Sequence, residues 1–258
     1  MIVSIHQPTF LPWLGYLHRM MQADLFIVLD HVQFERRNYQ NRTRIRLDNH
    51  EHWLTVPVQQ QSQQERIIDK LIANPGAEET RWWGADMIRT LRHAYRDALF
   101  LDPYIHNLRD ILESRPERLI DLDLAMLEFL RTALAIETPL LKSSTLKVAG
   151  TKSDLILNLC LEVGADTYLA GMGGSRDYLD REAFARAGVS IVWQDFRHPR
   201  HIQCGSGEFI AGLSAIDMLM NLGPHSRYLL GDMAPPNPCL PPGLPRSNCA
   251  SPASSDRS

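Results

Sequence analysis

The run "IVSIHQPTFLPWLGYLHRMMQADLFIVLD", residues 2–30, constrains the fold more than any other stretch. Two short apolar runs, 2–5 and 25–29, are bounded by chain breakers and read as strands. Between them, residues 13–22 place Leu14, Leu17, Met20 and Met21 at helical spacing. Strand, helix, strand in that order is a βαβ unit. Its strands are expected to be parallel and its crossover right-handed, because a right-twisted strand packs back onto its sheet that way.

The rest of the chain extends this pattern. Residues 31–42 read as a polar loop, and 43–47 with 52–57 as a hairpin around "DNHE". The run "QQQSQQ" at 59–64 reads as an exposed loop. Helical spacing then covers 77–97, 103–114 and 117–135, with Pro103 and Pro116 expected in first turns. Strand and helix alternate again after Pro139. The spacing predicts a helix over 153–164, a strand over 167–171, a helix over 178–188, a strand over 189–196 and a helix over 211–222. Alternation at both ends predicts an α/β fold with a Rossmann-like parallel sheet and a helical insert at about 77–136. One domain is expected over 1–232. A Pro/Ser-rich tail, 233–258, is expected to be disordered.

Composition narrows the functional classes. Of 258 residues, 44% are hydrophobic, which is enough for a full core. The net charge of −3 argues against a general nucleic-acid binder. There is no apolar run of membrane-spanning length and no secretory signal pattern, so a cytoplasmic protein is expected. Cys160, Cys204, Cys239 and Cys249 lack zinc-ligand spacing, and Cys160 reads as a buried reduced thiol.

Residues that carry chemistry gather in the loops. In an open α/β sheet, ligands bind beyond the carboxyl ends of the strands. His6 and Gln7 are the first residues past the first strand, and Asp30 closes the second. Asp30 can steer an arginine, accept a ligand hydroxyl or hold a metal. The segment 31–46 holds five arginines, Arg36, Arg37, Arg42, Arg44 and Arg46, against Glu35 alone. Arginine grips phosphate or carboxylate in a bidentate way. Asn38, Gln40 and Asn41 add neutral donors, and Tyr39 a flat surface for a base or sugar. The glycines of "AGMGGSRDY", 170–178, let backbone N–H groups approach an anion, or simply make a tight turn. Past the last strand, "FRHPRHIQ" brings Arg197, His198, Arg200 and His201 to the same edge. Ser214 and Asp217 lie one helical turn apart. Asp217 can face the site or sit in a buried ion pair with an arginine.

Five separated motifs, "HQPTFLPWLGYL", "FIVLDHVQF", "RRNYQNRTRI", "LEVGADTYLAGMGGSRDYLD" and "FIAGLSAIDMLMN", together resemble the WbqC-like protein family. The resemblance runs from residue 1 to about 231. The family is named from bacterial O-antigen and other surface-polysaccharide gene clusters. The resemblance therefore implies a biosynthetic protein acting on an anionic or nucleotide-activated small molecule. An ATP-dependent ligase or acyltransferase is one form. A nucleotide-sugar-using transferase and a non-catalytic subunit that works with biosynthetic partner proteins are the alternatives. Arg37, Asn41, Arg42, Gly173, Gly174, Tyr178 and Gln203 match the family's motifs, which implies contacts to substrate or phosphate. His6 is the candidate general acid/base, Gln7 a ligand-orienting residue, and Asp30 a candidate holder of Mg2+ beside ATP. The layout is also similar to nucleotidyltransferases and pantothenate synthetase, which carry H-x-G-H after the first strand. Trp13-Leu14-Gly15-Tyr16 stands there with neither histidine, which counts against ordinary nucleotidyl transfer. His18 lies inside the helix pattern, where it is expected to face solvent.

Overall fold

The computed structural model describes residues 1–60, 62, 64–76, 82–173 and 178–231. The expected tail, 233–258, and Gly174 lie outside the described residues, as do 77–81 at the expected start of the insert. The core is a five-stranded parallel sheet, β5-β2-β1-β6-β7. Its strands are β1 (Ile2–His6), β2 (Leu25–Val28), β5 (Leu140–Lys142), β6 (Thr167–Ala170) and β7 (Ser190–Trp193). A separate antiparallel hairpin pairs β3 (Arg42–Leu47) with β4 (His50–Thr55).

Helix α1 (Leu14–Met21) makes the expected crossover from β1 to β2, which pair in parallel. Three helices lie between β4 and β5: α2 (Trp83–Ala94), α3 (Leu101–Glu113) and α4 (Leu119–Ala133). Helix α5 (Lys152–Glu162) precedes β6, and α6 (Arg181–Arg186) connects it to β7. Helices α7 (Ala215–Leu222) and α8 (Ser226–Gly231) follow β7. The helices cover both faces of the sheet, which is a Rossmann-like core. One apolar cluster joins α1 to α2, α3, α4, α7 and α8 over Phe26 and Val28. A second packs α5 and Phe184 of α6 against Val3, Ile5, Ile27, Tyr168 and Ala170. Alternate residues of β2 therefore serve opposite layers, as strand geometry requires.

Several boundaries differ from the sequence pattern for local reasons. The hairpin turns on Asp48 and Asn49 alone, with Leu47 opposite His50. Both turn residues have positive φ, at 48° and 67°, the backbone that a tight two-residue hairpin demands. So β4 starts at His50 rather than 52. Pro116 lies before α4 rather than in its first turn. Helix α7 starts at Ala215 because the Ser214 side chain accepts from the Ile216 N–H as its N-cap. Strand β5 is three residues long, too short for a pattern to reveal. Cys160 is a free, fully buried thiol, and burial raises its pKa to about 12. None of the described helices is long and apolar enough to cross a membrane.

One polar group in the core breaks the usual rule that buried polar atoms find partners. Asp123 of α4 is 1% exposed. Neither carboxylate oxygen has a hydrogen-bond partner among the described residues. Burial pushes its pKa well above the usual carboxylate range, so the fold favours the neutral acid. The unfolded chain releases this proton above about pH 4 while the folded chain keeps it, so stability falls as pH rises from there. Asp123→Asn removes that dependence. Its melting temperature is expected to exceed the wild type's by a margin that widens from about pH 4.5 to about pH 8. A margin constant over that range would show that the folded chain carries Asp123 ionised.

Candidate functional site

The sheet grows leftward through β2 and β5 and rightward through β6 and β7, so its order reverses between β1 and β6. Loops leaving the two strands part there, which is where open α/β sheets place a ligand crevice at their carboxyl ends. Past β1 come His6 and Gln7, and past β6 comes Gly171. Between them stands Arg19 of α1, which is 4% exposed. A Cβ at Gly171 would sit on the Arg19 guanidinium, so the missing side chain is what admits the arginine. Tyr16, Tyr168 and Tyr178 bear on Arg19 electrostatically, as does His6. Its Nε has no hydrogen-bond partner, and no carboxylate pairs with it, among the described residues. Burial lowers its pKa, yet a guanidinium stays charged in proteins. An uncompensated buried cation is costly to keep, and an anion in the crevice would compensate it.

His6 lies beside it, with its ring edge-on to Tyr16 at 4.9 Å and to Trp13 at 5.6 Å. Its Nδ1 is 2.8 Å from the Gln7 carbonyl oxygen, to which it donates. That contact assigns the lone pair to Nε2. Desolvation first, and the Arg19 charge second, lower its pKa to about 3. His6 is therefore a neutral base rather than a group poised near neutrality, a correction to the expectation from its ordinary pKa. Gln7 is oriented by Gln40, which is fully buried and donates from Nε2 to the Gln7 Oε1 at 2.9 Å. The Phe10 N–H donates to the Tyr39 carbonyl at 3.0 Å. The loop after β1 and the arginine-rich loop are thus pinned together.

The WbqC-like protein family model matches residues 7–228. This chain belongs to the WbqC-like protein family. It is similar to "Uncharacterized protein Rv1507c" of Mycobacterium tuberculosis (strain ATCC 25618 / H37Rv). The two are 29% identical over 223 residues, which cover 86% of this chain and 94% of the relative. No solved structure matches the chain.

Within the WbqC-like fold the motif residues separate into two groups. Tyr178, 41% exposed, reaches the crevice beside Arg19, and Gly173 is exposed in the loop past β6. These two join His6 and Gln7 at one edge. The others are held by partners. Asp30 is fully buried at the end of β2. It accepts from Ser143 Oγ at 3.0 Å, Ser144 N at 2.8 Å and Ser144 Oγ at 2.7 Å. Both carboxylate oxygens bind the turn after β5, so Asp30 ties β2 to β5 and does not present a metal-binding face. Asn41 donates to the Val56 carbonyl at 2.8 Å and anchors the hairpin. Arg42 donates to the Arg37 carbonyl and lies over the Trp53 ring at 4.1 Å. Arg37 itself is exposed, with φ of 63°.

Gln203 is likewise saturated. Its Oε1 accepts from Arg46 and from the Ile210 N–H, both at 2.9 Å. Its Nε2 donates to the Ile210 carbonyl at 2.9 Å and to Asp217 at 2.8 Å. Asp217 also meets His201 at 2.9 Å, both side chains being 2% exposed, and accepts from Tyr95 at 3.2 Å. Its hydrogen-bond partners are thus a histidine, a glutamine and a tyrosine, with no arginine among the described residues. The network fastens the loop before α7 to the hairpin. His18 does not face solvent: its Nδ1 accepts from Gln194 at 2.9 Å, and burial lowers its pKa to about 4.

Sequence reasoning missed Arg19. The signal was present, since Arg19 stands three residues after Tyr16 on the stripe that faces the core, where a charge is out of place. A consequence for stability follows from the neutral histidines. Unfolded histidine titrates near 6.5, so the stability His6 contributes falls as pH drops from there toward its folded value of about 3. His18 acts in the same direction. His6→Gln is expected to lose less urea resistance than wild type between about pH 6.5 and about pH 4. Equal losses would mean His6 is as easily protonated in the fold as in the unfolded chain.

Proposed function

We propose that this WbqC-like protein is a cytoplasmic biosynthetic enzyme that binds an anionic small molecule at the β1–β6 crevice. The observation that carries the reading is Arg19, a buried guanidinium without a carboxylate partner among the described residues, set between the carboxyl ends of two central strands. Tyrosine hydroxyls and the Gln7 amide supply neutral hydrogen-bonding groups around it. A phosphate or carboxylate on Arg19 gains charge-assisted bonds in a desolvated place, where they are strong. His6 Nε2 is the candidate base, positioned by the Gln7 carbonyl. An anion on Arg19 would also offset the second cause of the low His6 pKa, raising its affinity for a proton. Anion binding and proton uptake at His6 are therefore coupled.

An ATP-dependent ligase or acyltransferase working on an amino sugar or related intermediate suits this anion-binding edge and the family's association with surface-polysaccharide clusters. Among the described residues no cluster of three metal-binding side chains occurs, and Asp30 is occupied by serines. The described residues thus offer no dedicated protein cage for Mg2+, which would reach the site on the nucleotide's own phosphates. The nucleotide-sugar-using transferase and the binding subunit remain the competing forms.

A thermal-shift screen with phosphate, ATP-Mg2+, CTP and nucleotide sugars separates them, because a ligand that binds the native state raises its melting temperature. Stabilisation by ATP-Mg2+ supports the ligase, and stabilisation by nucleotide sugars alone the transferase. Arg19→Met supplies the decisive control. It removes a buried charge, so the ligand-free variant is expected to melt higher than wild type. It is expected to bind the anion more weakly by roughly 30-fold or more, the usual loss when a buried charged partner is truncated. A variant that melts lower and binds normally would make Arg19 structural and end the proposal.

A further inference from the structure

The crevice does not end at His6. Four rings follow one another outward: His6, Trp13 at 5.6 Å, Tyr39 at 5.3 Å from Trp13, and Trp53 at 5.4 Å from Tyr39. The last ring is on the hairpin, where cross-strand register sets Trp53 opposite Arg44. Ile45 and Leu54 of the hairpin point into the core, so period-two alternation turns Arg44 and Trp53 to the other face. Trp53 remains 38% exposed there. The Arg42 guanidinium lies over it, with its Cζ 4.1 Å from the ring centroid, and the Arg44 Cζ is 5.8 Å away.

Two further facts bear on this cluster, in which Arg44 also pairs with Glu51 at 2.8 Å. The Nε atoms of both Arg42 and Arg44 are buried and lack hydrogen-bond partners among the described residues. Arg37 holds a positive φ of 63°, uncommon for a residue with a side chain, and its carbonyl accepts from Arg42 Nη2. The Arg37 carbonyl, presented by this uncommon backbone conformation, thus helps to hold the Arg42 guanidinium over Trp53. A guanidinium is planar, delocalised and weakly hydrated on its faces, so its outer plane accepts a flat ring. Bases stack on arginine planes as they do on aromatic rings. A saturated sugar ring gains less from such a plane, because it lacks a π face.

We propose that Arg42 on Trp53, flanked by Tyr39 and Arg44, is a second subsite that stacks the base of a nucleotide whose terminal anionic group reaches Arg19. The proposal rests on the Arg19 reading and extends it to a substrate class. Two rings, Trp13 and Tyr39, separate the subsites. That spacing calls for a linker longer than a monophosphate, which a nucleoside diphosphate or triphosphate provides. ATP and a nucleotide sugar share this chemistry.

Calorimetric titration of the full chain tests it, with ADP, ATP, UDP-glucose, adenosine monophosphate and pyrophosphate as probes. Trp53→Ala is expected to weaken ADP binding on the order of tenfold, the usual effect of losing a stacking platform, and to leave pyrophosphate binding unchanged. Arg19→Met is expected to weaken both. Trp53→Phe keeps a ring beneath Arg42 and is expected to restore most of the ADP affinity, and it also serves if the alanine variant folds poorly. Wild type is expected to bind ADP more tightly than adenosine monophosphate. The better of ATP and UDP-glucose then identifies the donor type. If Trp53→Ala and Trp53→Phe both bind ADP like wild type while pyrophosphate still depends on Arg19, the second subsite falls and the first stands. If pyrophosphate binding ignores Arg19→Met, both fall.

Discussion

A parallel sheet that grows outward from its central strand must part its connections somewhere, and here they part between β1 and β6. The loops leaving these strands head to opposite faces, so no crossover fills the space beyond them. Side chains from α1 fill it instead. Tyr16 and Arg19 of that helix enter the gap, and Gly171 makes room by lacking a side chain. Everything assigned to the site depends on this gap. Without the reversal, Arg19 would be a charge in a packed layer with no ligand side to face.

Much of the polar inventory around the crevice serves to build its walls. Asp30 ties β2 to the turn after β5, Asn41 anchors the hairpin, and Gln203 links Arg46 to Asp217. Arg46 is nearly buried, and its two Nη groups donate to Gln203, Glu208, Asn49 and Ser206, which holds the loop before α7. Buried polar groups need partners, and these residues have found theirs within the chain. The Arg19 Nε has no partner among the described residues, and neither has the Arg46 Nε, but Arg46 uses its Nη groups on the loop before α7 while the Arg19 guanidinium lies against Gly171 past β6. What a side chain faces therefore separates scaffold from site better than residue type does, since both groups contain arginines and amides.

Charge coupling joins the site's two chemical groups. Desolvation keeps His6 unprotonated, and the Arg19 charge adds to its effect. The same guanidinium is what the proposed anion would neutralise. An occupied crevice would therefore differ from the empty one in the proton affinity of His6 as well as in its contacts. Such coupling requires a low-dielectric setting, where charges are felt over short distances with little screening. The aromatic rings around His6 supply that setting and continue outward to the hairpin.

The amino-acid pattern by itself determined the βαβ start, the alternation that returns after Pro139, the helices α2 to α4, the hairpin, and the family. These are local or near-local properties: apolar spacing, turn residues and motif order read directly along the chain. It also marked the loop of His6 and Gln7 as lying at the ligand edge, because strand ends are predictable once strands are. Only the tertiary structure decided which charged residues stay unpartnered. Asp30 and Gln203 have the same chemistry whether bound by neighbours or open to a ligand, and their partners lie 114 residues away for Asp30 with Ser144 and 157 for Gln203 with Arg46. Arg19 was hidden for the converse reason. Its place in an apolar helix stripe is legible, but the gap that makes a buried charge useful exists only when β1 and β6 are brought side by side.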